Sequence, residues 1–138
     1  MTTRTAPPEL TAFIRRTLGC GCPPEVFEHI ADGPTHVSRA AGVRRRIDVG
    51  GRLLIYLVEP SDAAQALSSL HGWIAAGKTE RDAAAMNRLR LVVALNAPDP
   101  EEVERLEGAF AEAARGDERL HLHILDPGAC PMDPDAPG

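Results

Sequence analysis

Residues 52–58 read Arg-Leu-Leu-Ile-Tyr-Leu-Val, and residues 91–95 read Leu-Val-Val-Ala-Leu. Both contain consecutive apolar positions, which is typical of strands that are covered on both faces. Between them, the stretch from Pro60 to Ala76 places apolar side chains at helical spacing, and Gly77 follows as a predicted helix end. A helix that connects two buried strands predicts a parallel strand pair in a layered α/β fold.

The segments on either side of these strands extend the predicted sheet. Gly50-Gly51 separates residues 52–58 from the arginine-rich stretch 44–49, and two glycines tolerate the positive φ angles of a hairpin turn. Asp99-Pro100-Glu101-Glu102 is typical of a helix start, and Arg119–Leu125 predicts a last strand. The sequence therefore predicts a single α/β domain with a four-stranded mixed sheet in the order 1-2-3-4. Its last three strands are expected to be parallel and joined by two crossover helices.

The remaining segments complete this prediction. Residues 9–18 and 25–30 carry the apolar stripes of two short N-terminal helices, which we expect to cover the sheet face left open by the crossover helices. Thr79-Glu80-Arg81-Asp82 resembles another helix start and predicts a short helix that ends near Met86. Residues 126–138 contain four prolines and three aspartates, so we expect a disordered tail after a domain that spans residues 1–125.

Length, charge and cysteine content narrow the possible functions. The chain has 138 residues, 43% of them hydrophobic, and a formal net charge of −5. An acidic domain repels nucleic-acid backbones, and the longest apolar run is too short to cross a bilayer. The cysteine count of three is odd and no signal peptide is visible. We therefore expect a cytoplasmic protein without a framework of structural disulfides and with neither nucleic acid nor membrane as a partner.

Two clusters of charged residues are interpreted as parts of the protein surface and not as functional sites. The basic run Arg44, Arg45 and Arg46, followed by Arg52, predicts an exposed edge strand, where charge blocks pairing with another sheet, and a phosphate or anion site is the alternative. Ligands of open α/β sheets usually bind at the carboxyl ends of strands. Polar residues at the amino end of the strand around 91–95 are therefore interpreted as solvated: Glu80, Arg81, Asp82, Asn87, Arg88 and Arg90.

The short segment Cys20-Gly21-Cys22-Pro23 is typical of a pair of reactive thiols that can form a disulfide. Gly21 allows a tight turn, which brings the two cysteines within the Cα separation that a disulfide requires. Pro23 keeps Cys22 out of helical geometry, just ahead of the helix predicted at residues 25–30. The dipole of that helix lowers the pKa of a thiol at this position, so Cys22 is the predicted nucleophile.

Three functions remain open from the residues alone. The first is thiol–disulfide redox chemistry, in which Cys22 and Cys20 form the redox pair and His29 acts as a base, without a cofactor. The second is a non-catalytic interaction with an unidentified protein or a second copy of the chain, through the edge strand Arg119–Leu125 or the exposed sheet face. For the cysteines themselves, the alternative to chemistry is inert packing at a corner between two helices.

The third function is a structural metal centre that holds zinc or an iron–sulfur cluster. His121 and His123 alternate with apolar residues on the last predicted strand, so their side chains lie on one face at a spacing that suits two ligands of one ion. With Cys20 and Cys22 they make a set of two cysteines and two histidines, and Cys130 is a substitute ligand. The alternative is that both histidines belong to the solvated face of an edge strand.

Residues 18–27 read Leu-Gly-Cys-Gly-Cys-Pro-Pro-Glu-Val-Phe. This stretch resembles the opening of small prokaryotic proteins of unknown function that carry Leu-Gly-Cys-x-Cys-Pro-x-Glu-Val-Phe. The resemblance covers ten residues and implies no particular activity. It marks Cys20, Cys22 and Pro23 as a shared feature of those proteins.

Overall fold

The computed structural model describes residues 3–132, which form a five-stranded mixed sheet with helical segments on both faces. The strands lie across the sheet in chain order: β1 (Ile30–Asp32), β2 (Arg45–Val49), β3 (Leu53–Val58), β4 (Arg88–Ala94) and β5 (Leu120–Leu125). β2 is antiparallel to both of its neighbours, β1 and β3, whereas β3, β4 and β5 are parallel to one another. The predicted α/β class is confirmed, as are the order and directions of the four strands now labelled β2–β5. The predicted number of strands is wrong, because β1 adds a fifth.

The helical segments divide between the two faces of the sheet. They are α1 (Pro8–Ala12) with a π-helical turn (Phe13–Thr17), a 3-10 turn (Pro24–Glu28), α2 (His36–Ala40), α3 (Ala63–Ala83), α4 (Pro100–Ala113) and a last 3-10 turn (Pro127–Ala129). Side chains of α3 and α4 share one core with alternate residues of β3 and β4, including Tyr56 and Leu91. The N-terminal segment shares a second core with the intervening residues, including Ile55 and Val92. Within residues 3–132, no helix is both long and apolar enough to cross a membrane.

β1 occupies part of the segment that the sequence predicts as a second N-terminal helix. That helix is wrong at residues 29 and 30, since the 3-10 turn ends at Glu28 and the chain then extends. Ile30 is fully buried, pairs with Val49 of β2, and exchanges backbone hydrogen bonds of 2.8 Å with Arg4 on its other side. These long-range bonds favour an extended backbone over another helical turn at Ile30.

The arginine-rich strand β2 is not an exposed edge, because β1 covers it. Arg45 is 4% exposed and Arg46 is 7% exposed, and their side chains lie on opposite faces of the sheet. Arg45 forms a salt bridge with Asp32 of β1 and donates a hydrogen bond of 2.7 Å to the carbonyl oxygen of Pro131. Arg46 donates to Glu80 of α3 at 3.1 Å. Their charges are therefore satisfied within the fold instead of keeping an edge soluble.

α3 runs unbroken across the glycine at which the sequence predicts a helix end. A Cβ atom added at Gly77 would collide with the Leu89 side chain of β4, so this glycine allows α3 to approach the sheet closely. The second helix predicted from Thr79 is likewise part of α3. Glu80 and Arg81 are not solvated, because they enter ion pairs with Arg46 and Asp117.

Replacing Gly77 by alanine is expected to lower the free energy of unfolding by up to about 2 kcal/mol. The overpacking cost against Leu89, typically about 1–3 kcal/mol, exceeds the gain of about 1 kcal/mol in helix propensity. Gly72 is the matched control, since a Cβ there meets no atom within 4 Å. Gly72→Ala should therefore stabilise the protein by about 0.5–1 kcal/mol. Urea unfolding of both variants checks this, and equal stabilisation would contradict the close approach of α3.

The C-terminal tail falls partly within the described residues. Pro127–Ala129 form a 3-10 turn, and the side chains of Cys130 and Met132 pack against the core of the N-terminal face. Residues 133–138, the rest of the tail predicted to be disordered, lie outside the described residues.

Candidate functional site

Cys20 and Cys22 are joined by a disulfide in a short loop that leaves the N-terminal helix. Their Cα atoms are 5.4 Å apart, within the usual range for a disulfide. The turn is made at Gly19, whose φ of +72° favours glycine, and the amide of Cys20 donates back to Ile14 at 3.1 Å. Gly21 has no positive φ, so the tight turn that the sequence predicts at that glycine begins two residues earlier.

The predicted stabilisation of a Cys22 thiolate by a helix dipole is not supported by the local structure. The segment after Cys22 is a five-residue 3-10 turn that begins at Pro24 and is preceded by Pro23 as its N-cap, and neither proline has an N–H group. A cation lies there instead. Arg15 donates to the carbonyl oxygen of Cys22 at 3.5 Å, and its guanidinium stacks over Phe27, 4.9 Å from the ring centre.

The disulfide lines a cavity of about 320 Å³ at the amino ends of β3 and β4. The loop forms one wall, and the sheet supplies the other. The backbone of Arg52 joins the two strand starts, because its carbonyl oxygen accepts hydrogen bonds from the amides of Asn87 and Arg88 at 2.7 and 3.1 Å. The lining residues are Cys20, Gly21, Cys22, Pro23, Arg52, Leu53, Asn87, Arg88 and Arg90.

The charged residues that line this cavity are all arginines. Among the salt bridges within residues 3–132, none involves Arg52, Arg88 or Arg90, although the whole chain carries a net charge of −5. The Nε atom of Arg90 is buried and has no hydrogen-bond partner. Burial, together with the charge of Arg88, lowers the pKa of Arg90. The cavity is therefore electropositive, and the interpretation of Arg90 as a solvated loop residue is wrong.

His121 and His123 extend this cluster onto β5. Arg88 Nη1 lies 2.9 Å from His121 Nε2, and Arg90 Nη1 lies 3.0 Å from His123 Nε2. A guanidinium can only donate, so each Nε2 accepts and the ring proton is on Nδ1. Burial, with Arg90 and His121, lowers the pKa of His123 to about 4, and burial, with Arg90 and Arg88, lowers that of His121. Neutral imidazoles therefore orient the two arginines without balancing their charge.

The residues predicted to hold a metal are all within the described part of the chain. The cysteines are paired with each other, and the Nε2 atoms of His121 and His123 are occupied by the two arginines. Across residues 3–132, no group of three or more His, Cys, Asp or Glu side chains is arranged to hold a metal ion. The remaining cysteine, Cys130, is half-buried, and burial, with Asp126 and Glu59, raises the pKa of its thiol to about 11.

His29, the predicted base, lies apart from the cavity lining. It ends the 3-10 turn with an exposed side chain, and its carbonyl oxygen accepts a hydrogen bond of 2.8 Å from the amide of Gly50. The residues that sequence reasoning missed are Arg52, Arg88 and Arg90. Their signal was the alternation of Arg88 and Arg90 on a strand adjacent to one that alternates His121 and His123.

Comparison of the chain with protein-family models, with curated proteins and with solved structures finds no match. The resemblance of residues 18–27 to small prokaryotic proteins stays a prediction.

Proposed function

We propose that the protein carries out thiol–disulfide exchange at Cys20 and Cys22. The observation that supports this proposal is a disulfide at the wall of a cavity whose charged residues are all arginines. Both cysteines are half-buried, so their sulfur atoms are partly shielded while the loop still lines open space.

In the proposed reaction the reduced protein acts on a substrate disulfide. The Cys22 thiolate attacks one sulfur, the substrate S–S bond breaks, and the departing thiolate takes up a proton. Cys20, as a thiolate, then attacks the Cys22 sulfur of the mixed disulfide, which forms the Cys20–Cys22 bond and releases the second substrate thiol. Two electrons pass from the protein dithiol to the substrate disulfide, and a dithiol reductant restores the protein by the reverse steps.

Positive charge near the loop supports Cys22 as the nucleophile. Arg15 contacts the backbone of Cys22, and Arg52, Arg88 and Arg90 face the same cavity. Nearby guanidinium groups stabilise a thiolate and lower the pKa of its thiol. In this proposal the arginines, and not a helix dipole, stabilise the Cys22 thiolate. His29 has no role in the proposed reaction.

Titration of the reduced protein tests this function. We expect Cys22 in the Cys20→Ser variant to ionise with a pKa between about 3.5 and 7.5, as measured by the pH dependence of its alkylation rate. In dithiol–disulfide buffers, the wild-type pair should interconvert reversibly, with a mass change of about two hydrogens. Ionisation of both thiols near the unperturbed value of about 8.5, or exchange no faster than that of a simple dithiol, would overturn the proposal.

Cys130 provides an internal control for the same experiment. The raised pKa of its thiol keeps it protonated at neutral pH, so it should be alkylated much more slowly than Cys22. Cys130→Ser is expected to leave the Cys20–Cys22 exchange rate unchanged. Loss of exchange in this variant would show that the reactive pair includes Cys130.

A further inference from the structure

We propose that the cavity beside Cys20 and Cys22 binds a small disulfide or thiol that carries carboxylate groups, and that Arg88 and Arg90 hold those carboxylates. This inference rests on the proposed thiol–disulfide exchange and names its substrate class. The reacting sulfur and the charged group would belong to one ligand, since the cysteines and the arginines line the same cavity.

The positive charge of the arginines around the cavity favours binding of an anion. Three arginines line it, and none of them forms a salt bridge with a carboxylate within residues 3–132. The contrast with Arg45, Arg46 and Arg81 is direct, because each of these is paired with an acidic side chain. Arg52 and Arg88 are exposed, but Arg90 is half-buried and its Nε atom has no hydrogen-bond partner, which favours a bound carboxylate over bulk water as the partner of Arg90.

The histidines of β5 prepare the arginines for this role. One Nη1 atom of each guanidinium is held by a neutral imidazole at 2.9 or 3.0 Å, which fixes the side chain and leaves other donors unused. Because the imidazoles are uncharged, the positive charge remains available to a ligand. Donors that are oriented before binding lose less conformational entropy when the ligand arrives.

The size of the cavity favours a small molecule over a protein segment. Its volume of about 320 Å³ lies at the lower end of the range of about 300–1,000 Å³ that small-molecule sites occupy. The opposite wall is the short loop at Cys20–Pro23, which leaves little length for a peptide strand. We therefore assign the site to a compact thiol or disulfide that carries one or two carboxylate groups.

A matched pair of disulfides tests the assignment on the full-length reduced protein. Dithiodipropionate carries two carboxylates, whereas its diamide is neutral and nearly the same size. Each rate is divided by the rate with free dithiothreitol at the same pH, which removes the intrinsic reactivity of the disulfide. We expect the normalised rate for the anionic compound to exceed that for the neutral one by about tenfold, equivalent to about 1.4 kcal/mol.

Variants of Arg88 and Arg90 test whether the faster reaction of the anionic disulfide depends on the cavity. In the double variant Arg88→Gln and Arg90→Gln, the preference should fall to within about twofold of unity, and the ratio is insensitive to any change in thiol pKa because both rates share it. Arg39→Gln removes one positive charge from exposed α2, outside the cavity, and should keep the preference. A ratio near unity in the wild-type protein, or one unchanged in the double variant, would overturn the inference and leave thiol exchange intact.

Binding of octanedioate separates the two proposals. This compound has the length and charge of dithiodipropionate but no sulfur, so it reports the anion site without any redox step. Binding by the wild-type protein and not by the double variant, measured by calorimetry, supports the inference. The same binding together with disulfide rates no faster than those of dithiothreitol would overturn thiol exchange and retain the carboxylate site. No detectable binding by the wild-type protein would overturn the site itself.

Discussion

Replacing Glu80 by leucine is expected to lower the free energy of unfolding by about 3–5 kcal/mol, because it leaves a buried guanidinium without its counter-ion. The Glu80 carboxylate accepts from Arg46 at 3.1 Å, and both side chains are less than one-tenth exposed. Its second oxygen accepts the hydroxyl of Tyr56, which is fully buried. One carboxylate of α3 therefore satisfies groups from both β2 and β3.

The hydroxyl group of Tyr56 also depends on Glu80 for its hydrogen-bond acceptor. Burial, with the hydrogen bond to Glu80 and the charge of that carboxylate, raises the pKa of Tyr56, so the hydroxyl stays protonated and donates. Without Glu80 this donor has no partner among the described contacts, and an unsatisfied buried hydroxyl costs about 1–3 kcal/mol. The variant should therefore lose stability at the upper part of the stated range, as measured by urea unfolding at neutral pH.

Two controls separate loss of the ion pair from a general effect of leucine. Glu104 is exposed on α4, and Glu104→Leu should change stability by less than about 0.5 kcal/mol. Combining Glu80→Leu with Arg46→Met and Tyr56→Phe removes all three polar partners together, and such apolar replacement is often neutral or stabilising. The triple variant should recover most of the lost stability. A single variant as stable as wild type would contradict the buried cluster.

The strongest sequence signals came from the central strands, and the structure confirms them. Residues 53–58 and 91–95 are apolar on both faces, so their place between two helical layers follows from composition alone. The Gly50-Gly51 hairpin is confirmed by φ values of +62° and +68°. The Asp99 helix start is also confirmed, through its capping box with Glu102. Each of these features depends on residues that are close in sequence.

The elements that were predicted wrongly depend on contacts between distant residues. β1 is three residues long, and Ile30 continues the apolar stripe of Val26 and Phe27, so a helix fitted the local pattern equally well. Gly77 resembled a helix end because its role is set by Leu89 on another element. Arg45 resembled an exposed strand residue because its counter-ion lies thirteen positions away, in the unpredicted strand.

The candidate site was predicted in part for the same reason. The sequence identified Cys20 and Cys22 through their spacing, but it did not identify the arginines that line their cavity. Because ligands of open α/β sheets usually bind at the carboxyl ends of strands, the sequence favours the interpretation of Arg88 and Arg90 as solvated residues. In this fold the N-terminal loop lies against the amino ends of β3 and β4, and this arrangement is invisible in local patterns.

Replacing Asp117 by asparagine is expected to lower the free energy of unfolding by about 3 kcal/mol at neutral pH, the lower end of the range for a broken buried pair. Arg81 of α3 is 2% exposed and donates to both oxygens of Asp117, at 3.0 and 2.7 Å. These two hydrogen bonds connect the end of α3 to the segment before β5. Asp82 also accepts from Arg81 at 2.9 Å, which limits the loss.

Asp82 provides the matched control because it is bonded to the same guanidinium from an exposed position. Its side chain is 58% exposed, so Asp82→Asn should cost no more than about 1 kcal/mol. Both variants exchange a carboxylate for an amide of the same shape. Equal losses in the two variants would contradict the assignment of Asp117 as the buried partner.

The effect of Asp117→Asn should also depend on pH in one direction. The hydrogen bonds from Arg81 hold the pKa of the Asp117 carboxyl below its usual value. A carboxyl whose pKa is lower in the folded state contributes its full stabilisation above the unfolded-state value of about 3.9, and this contribution is lost as the pH falls through the folded-state value. The stability difference between wild type and variant should therefore be constant near neutral pH and shrink below about pH 4. A difference that grows on acidification would mean that the folded protein binds a proton at Asp117 more readily than the unfolded chain does.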